Sequence, residues 1–119
     1  MCLTKEEHDA HINMMIKNIA HDEAAYNIDN RLSFREPIDV VGVLWEELEE
    51  TEEALKQLNA SVKDFWENIR YNSSLDVILS RLSAISLNAE FVIGEAVQVK
   101  AVAIKALEQL NKNKENEHE

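Results

Sequence analysis

Between Glu46 and Glu53 the chain places six carboxylates in eight residues, Glu46-Glu47-Leu48-Glu49-Glu50-Thr51-Glu52-Glu53. On a helix, carboxylates three residues apart share a side and lie close enough to hold one ion, which singles out Glu47 with Glu50. Without a cation such a pair is unfavourable, because repulsion and desolvation raise one pKa or push the side chains outward. A hard divalent ion removes that penalty, and Mg²⁺ takes oxygen ligands while usually keeping waters or substrate phosphates. Projection at about 100° per residue centres the apolar arc on Val41, Leu44, Leu48, Thr51 and Leu55. Glu46 and Glu53 then point to solvent and Glu49 lies at the margin, whereas Glu47 falls beside Val40, Val43 and Ala54 on the flank of the buried face. Glu52 projects into the arc between Val41 and Trp45. Periodicity alone favours the plainer alternative of a solvated acidic face with one or two residues snorkelling at the core edge.

Other constellations carry less chemistry. His8 and His11 lie one turn apart and Glu7 pairs with His11 at i, i+4, but no third ligand stands at a recognisable spacing, so surface pairing is the simpler account. His21 beside Asp22 has the same status. A di-iron centre would need Glu-x-x-His on two helices, which is missing, as are a Gly-rich phosphate loop, a nucleophile elbow and a Cys/His zinc pattern. Trp45, Phe65, Trp66 and Phe91 read as core or interface, and Lys100 and Lys105 as solvated lysines.

The elements that would position the glutamates are helices. Only two Gly and one Pro interrupt the chain, while Ala, Leu, Glu, Lys and Gln are plentiful, a composition of long helices rather than of a sheet with its turns. Thr4-Lys5-Glu6-Glu7 fits a capping box. Ile12, Met15, Ile16 and Ile19 follow as a stripe expected to face the core, in a helix reaching about Tyr26. Asn27 to Arg35 reads as a connection. Pro37 suits the first turn of a second helix, with Glu36 favouring the positive end of its dipole, and this helix is expected to reach about Leu58. Asn59 to Ser61 reads as a break, with Ser61 capping a third helix whose apolar side is Val62, Phe65, Trp66 and Ile69. Tyr71 to Ser74 is a second break. From Leu75 to Leu110 only Gly94 lowers helix propensity, giving one long helix or two in series. The expected architecture is all-α, a four- or five-helix bundle forming one domain over residues 1–110, with a disordered polar tail over 111–119 that has no apolar residue to offset its ordering entropy.

The net charge is −11, from 23 acidic and 12 basic residues, so the average field repels nucleic acid and anionic membrane surfaces. A phosphate-bearing substrate would need a bridging cation. Cys2 is the only cysteine and can form no internal disulfide. No basic region followed by an apolar run opens the sequence, and no uninterrupted apolar stretch approaches the roughly 18 residues of a membrane span. The expectation is a cytoplasmic protein without membrane or nucleic-acid partners. A four-helix arrangement of this size buries a thin core, so completion by oligomerisation is expected.

Leu44-Trp45-Glu46-Glu47-Leu48-Glu49-Glu50-Thr51-Glu52-Glu53-Ala54-Leu55 resembles the first metal-binding helix of the MazG-like all-α nucleoside triphosphate pyrophosphohydrolases, whose signature Glu-Glu-x-x-Glu matches Glu46, Glu47 and Glu50. The family's second acidic pair, Glu-x-x-Asp, resembles Glu95-Ala96-Val97-Gln98, within a run of the type Glu-x-Val-Gln-Val-x-Ala-Val-Ala that looks like MazG-like proteins of phage origin. The resemblance covers about half of the chain. It departs at Gln98, which stands where the family has aspartate, and in a longer interval between Glu50 and Glu95. The resemblance implies Mg²⁺- or Mn²⁺-dependent attack of water between the α- and β-phosphates of a nucleoside triphosphate, releasing monophosphate and pyrophosphate. It implies metal ligation by Glu47, Glu50 and Glu95, with Gln98 as a neutral oxygen ligand or outer donor and Glu46 as outer ligand or catalytic base. A homodimer or homotetramer follows from the same likeness. The alternative is a non-catalytic helical interaction or accessory protein, phage-encoded, that has the fold without the chemistry; Gln98 motivates it.

Overall fold

The computed structural model describes residues 2–25 and 33–117. Among these, all regular structure is helical: α1 spans Lys5–Glu23, α2 Pro37–Arg70 and α3 Leu75–Glu117. Most of the connection expected at Asn27 to Arg35, and the expected end of the first helix at Tyr26, lie outside the described residues.

Each helix start is built from local hydrogen bonding. Thr4 Oγ1 accepts from the Glu7 N–H at 3.1 Å and so satisfies one of the amides a helix leaves open at its first turn. Before α2 the chain turns so that Asp39 Oδ2 accepts from the N–H groups of Arg35 and Glu36, at 3.1 and 3.0 Å. One carboxylate thus holds two amides at the positive end of the helix dipole. Asp39→Ala is expected to cost about 1 kcal/mol, the usual value of a cap, and to show as a lowered urea midpoint with an unchanged slope. A variant as stable as the parent would mean that water replaces the carboxylate without loss.

Two expected boundaries are corrected. Helix α2 does not break at Asn59 to Ser61. Ser61 Oγ donates to the Leu58 carbonyl at 2.8 Å instead of capping a new helix, a back-bond open to serine inside a helix. Asn and Ser lower helix propensity by only about half a kcal/mol each, less than the apolar side running from Leu55 through Phe65 can offset. Helix α3 is one helix through Gly94, the first of the two alternatives open for the stretch from Leu75. It continues through Glu117, where a disordered tail was expected from 111, and Asn113 Nδ2 donates to the Arg35 carbonyl at 3.2 Å. The break at Tyr71 to Ser74 is present. Asn72 takes the left-handed conformation at φ 57°, its N–H donates to the Ile69 carbonyl and the Ser73 N–H to the Asn68 carbonyl, at 3.1 and 3.0 Å. This is the bond pair of a Schellman ending, with asparagine where glycine is commonest. Ser74 then caps α3 by accepting from the Val77 N–H at 3.4 Å.

The chain divides into two compact units: Met1–Trp45 with Val97–Glu119, and Glu46–Ala96. The first contains the core. Ala24, Phe34, Val40, Ala101, Val102 and Ala106 are buried together, with Val43, Leu44, Ile104 and Leu110 packed on them. Small side chains at Ala24, Ala101 and Ala106 let backbones approach, and Phe34 fills the space between. On α1 the buried residue is Ala20. The stripe expected to face the core does not: Ile12, Met15 and Ile19 are exposed and Ile16 is half-buried. Periodicity marks an apolar face but does not say that the same chain covers it.

The second unit is a helical hairpin of α2 from residue 46 and α3 up to residue 96, joined by the Asn72 turn. Glu47, Thr51, Ala54, Leu58 and Phe65 on α2 and Ile78, Arg81, Ile85, Asn88 and Val92 on α3 are half-buried, a helical spacing that marks the side each turns inward. The packed side of α2 is therefore the flank of the apolar arc, and the expected centre at Leu48 and Leu55 is exposed. Arg81 Nε approaches Asp64 Oδ2 at 3.1 Å without hydrogen-bond geometry, and both side chains are about half exposed. A screened pair of this kind contributes at most about 1 kcal/mol. Helix α3 also contains an 18-residue window of mean hydropathy 1.4, long and apolar enough by length and composition to cross a membrane, although Asp76, Arg81, Glu90 and Glu95 interrupt its apolar runs.

Candidate metal centre

The hairpin brings three of the glutamates together. Glu47 and Glu50 stand one turn apart on α2, and Glu95 comes from α3. Each offers a carboxylate oxygen, and the three oxygens lie within 4.8 Å of one another. Glu47 and Glu95 are half-buried and Glu50 is exposed. Placement on the flank of α2 is what turns Glu47 toward α3. The Thr51 hydroxyl beside it donates to the Glu47 carbonyl at 2.9 Å, so this neighbour is satisfied within its own helix.

The electrostatics follow from that geometry. Two like charges no more than 4.8 Å apart repel by about 1 kcal/mol or more under water-like screening and by several times that when partly desolvated. The Glu47 carboxyl is accordingly pushed above the ordinary value of 4.5, first by burial and then by the charges of Glu50, Glu95 and Glu46. Glu46 thus acts on the centre through its field.

Hard divalent cations suit this donor set. Mg²⁺ holds oxygens at about 2.1 Å, which separates neighbouring ligands by about 3 Å and opposite ones by about 4.2 Å. Closing the trio around such an ion takes small rotations of flexible side chains. Three carboxylates leave coordination positions for water or phosphate oxygens.

Gln98, the fourth expected ligand, belongs to the other unit. There its amide nitrogen donates to Glu23 Oε1 at 2.8 Å. Sequence reasoning gave Glu23 no role, and a contact between residues 75 positions apart has no local signal. The Arg81 and Asp64 pair was missed for the same reason. His8, His11 and His21 join no metal-holding group among the described residues. Comparison of the chain with protein-family models, with curated proteins and with solved structures returns no match.

Proposed function

We propose that the protein is a Mg²⁺- or Mn²⁺-dependent hydrolase that splits a nucleoside triphosphate into monophosphate and pyrophosphate, with the MazG-like bundle its sequence resembles. The observation that supports this most is the convergence of Glu47, Glu50 and Glu95 from two helices, with the Glu47 carboxyl destabilised as an anion until a cation joins it. In this proposal those three carboxylates hold the metal. A bound divalent ion supplies neutralisation of the phosphate oxygens and Lewis acidity at the bond that breaks. Glu46, exposed one residue before Glu47, takes a proton from the attacking water. A cytoplasmic setting, where nucleoside triphosphates are abundant, and a homodimer or homotetramer belong to the same proposal.

The second reading is a non-catalytic, phage-type helical accessory protein of the same fold. Gln98 supports it, since the residue standing where the resemblance has an acid is engaged by Glu23. The two readings separate in one experiment. A panel of ribo- and deoxynucleoside triphosphates with Mg²⁺ or Mn²⁺ is expected to yield pyrophosphate that EDTA suppresses, with calorimetric Mn²⁺ binding that weakens at least tenfold in Glu50→Gln. Mn²⁺ binding without turnover on any member of the panel favours the accessory protein. Neither binding nor turnover removes the metal centre altogether.

A further inference from the structure

A cavity of about 270 Å³ lies within the unit formed by Met1–Trp45 and Val97–Glu119 and contains none of the metal-centre glutamates. The Ser33 to Arg35 segment walls one side of it and the last turns of α3 the other. Its charged lining is Arg35, Lys105 and Lys112 with one carboxylate, Glu108. In a chain of 23 acidic and 12 basic residues, that ratio reverses the average field at this one place. On α3, Lys105, Glu108 and Lys112 stand at intervals of three and four, so helical pitch gathers them on one side.

The segment that carries Arg35 is held by its backbone. The Phe34 N–H donates to Gln109 Oε1, Asn113 Nδ2 donates to the Arg35 carbonyl at 3.2 Å, and Asp39 Oδ2 accepts from the Arg35 N–H at 3.1 Å. All three bonds leave the guanidinium unused. Among the described residues neither that group nor the Lys112 ammonium makes a hydrogen bond or ion pair, and Glu108 comes within salt-bridge reach of neither. Two cations fixed around a recess and left unneutralised repel each other until an anion enters. The start of α2 is not what would bind it, since Asp39 already takes the Arg35 and Glu36 amides there.

We infer that this cavity binds the phosphate group of a small phosphomonoester, held by Arg35 and Lys112 without a divalent ion. The guanidinium fork matches two phosphate oxygens at once and the ammonium takes a third as a point charge. The Ser33 hydroxyl on the same wall is a further donor. A phosphate dianion presents three oxygens in different directions and a charge near −2, whereas a carboxylate presents two in one plane and a charge of −1. Size sets the rest of the ligand. The cavity is several times the roughly 30 Å³ share of one water and lies just below the 300 Å³ or so at which pockets for drug-sized molecules begin, so it has room for a phosphate with a few further atoms. The inference does not rest on the metal reading.

Calorimetric titration of the full chain in EDTA with glycerol 3-phosphate, inorganic phosphate and acetate tests it. Glycerol 3-phosphate is expected to bind one per chain, more tightly than inorganic phosphate, with acetate weakest. Arg35→Gln and Lys112→Gln are each expected to raise its Kd about tenfold, the worth of one charged hydrogen bond, and Arg35→Lys to raise it less. These changes keep the backbone bonds of residue 35, so an unchanged circular dichroism melt shows that the fold is intact. In amide NMR spectra the Phe34 and Arg35 backbone signals and the Asn113 side-chain signal are expected to shift with the ligand. No binding, acetate binding as tightly as the phosphates, affinity indifferent to Arg35 and Lys112, or shifts confined to other residues would each overturn it, and inorganic phosphate binding more tightly than the ester would overturn the ester assignment. The titration needs neither metal nor turnover, so an inactive protein that binds the ester leaves this inference standing, and turnover without such binding leaves only the proposed function.

Discussion

Glu47→Gln is expected to raise the thermal stability of the metal-free protein at neutral pH while removing both metal-induced stabilisation and metal-dependent turnover. The sign comes from the environment of the carboxyl. Burial, then Glu50, Glu95 and Glu46, push its pKa in the folded protein above 4.5, so the fold penalises the ionised form. Below about pH 4.5 the group is protonated in the folded and unfolded chains alike and carries no penalty. As pH rises, the unfolded chain releases this proton first and the folded state loses stability. The loss is complete once pH has passed the raised folded value, and at neutral pH the whole penalty is present. Glutamine has nothing to ionise, so the variant lacks this fall. The group is only half-buried and solvent screens it, so the gain in melting temperature is small.

Adding Mn²⁺ or Mg²⁺ should reverse the order of the two proteins. Binding to the folded state alone stabilises by mass action, and the parent gains while Glu47→Gln gains little. Loss of even an outer partner typically costs metal sites about 10–100-fold, and removal of a direct carboxylate should lower turnover at least that far. Melting curves in EDTA and in excess Mn²⁺, taken from about pH 4 to pH 8 around the ordinary carboxylate range, decide the matter. A variant less stable than the parent in EDTA at neutral pH, or one with an equal Mn²⁺ shift, would contradict the assignment of Glu47.

The largest loss of stability is expected from Phe34→Ala, about 3–5 kcal/mol. Phe34 is 3 % exposed and, among the described residues, is the one buried aromatic, the other buried side chains being Ala20, Ala24, Val40, Ala101, Val102 and Ala106. Its removal leaves a cavity lined by side chains too small to collapse into it. The backbone adds a second tie, since the Phe34 N–H donates to Gln109 Oε1 on α3. Gln109→Ala should leave that part-buried N–H unpaired and cost about 1–2 kcal/mol. Domains of this size are stable by about 5–15 kcal/mol, so the phenylalanine carries a large share. Urea unfolding followed by circular dichroism measures both. A cost below about 1 kcal/mol for Phe34→Ala would mean that the core closes without the ring.

What could be read along the chain is what neighbouring residues settle among themselves. Thr4 reaches an amide three residues on, Pro37 fits a first turn, and Asn72 with its flanking serines ends one helix and starts another. Glu47 and Glu50 share a side because of helical pitch alone. Such features depend on separations of three to five residues, and sequence contains them directly. The all-helical class follows from the same local preferences summed over many residues.

Contacts between distant positions were settled elsewhere. Phe34 sits in a polar-looking connection and becomes core because Gln109 and Ala101 come to it. Asn59 to Ser61 remains helical because packing on both sides outweighs a small propensity deficit. The apolar arc of α2 contains more side chains than one neighbour can cover, and packing chose its flank. That choice turns Glu47 toward Glu95 and leaves Leu48 and Leu55 open. Hydrophobic burial has no direction, so a sequence marks which faces are apolar, but only the assembled helices determine which face is covered and which carboxylates meet.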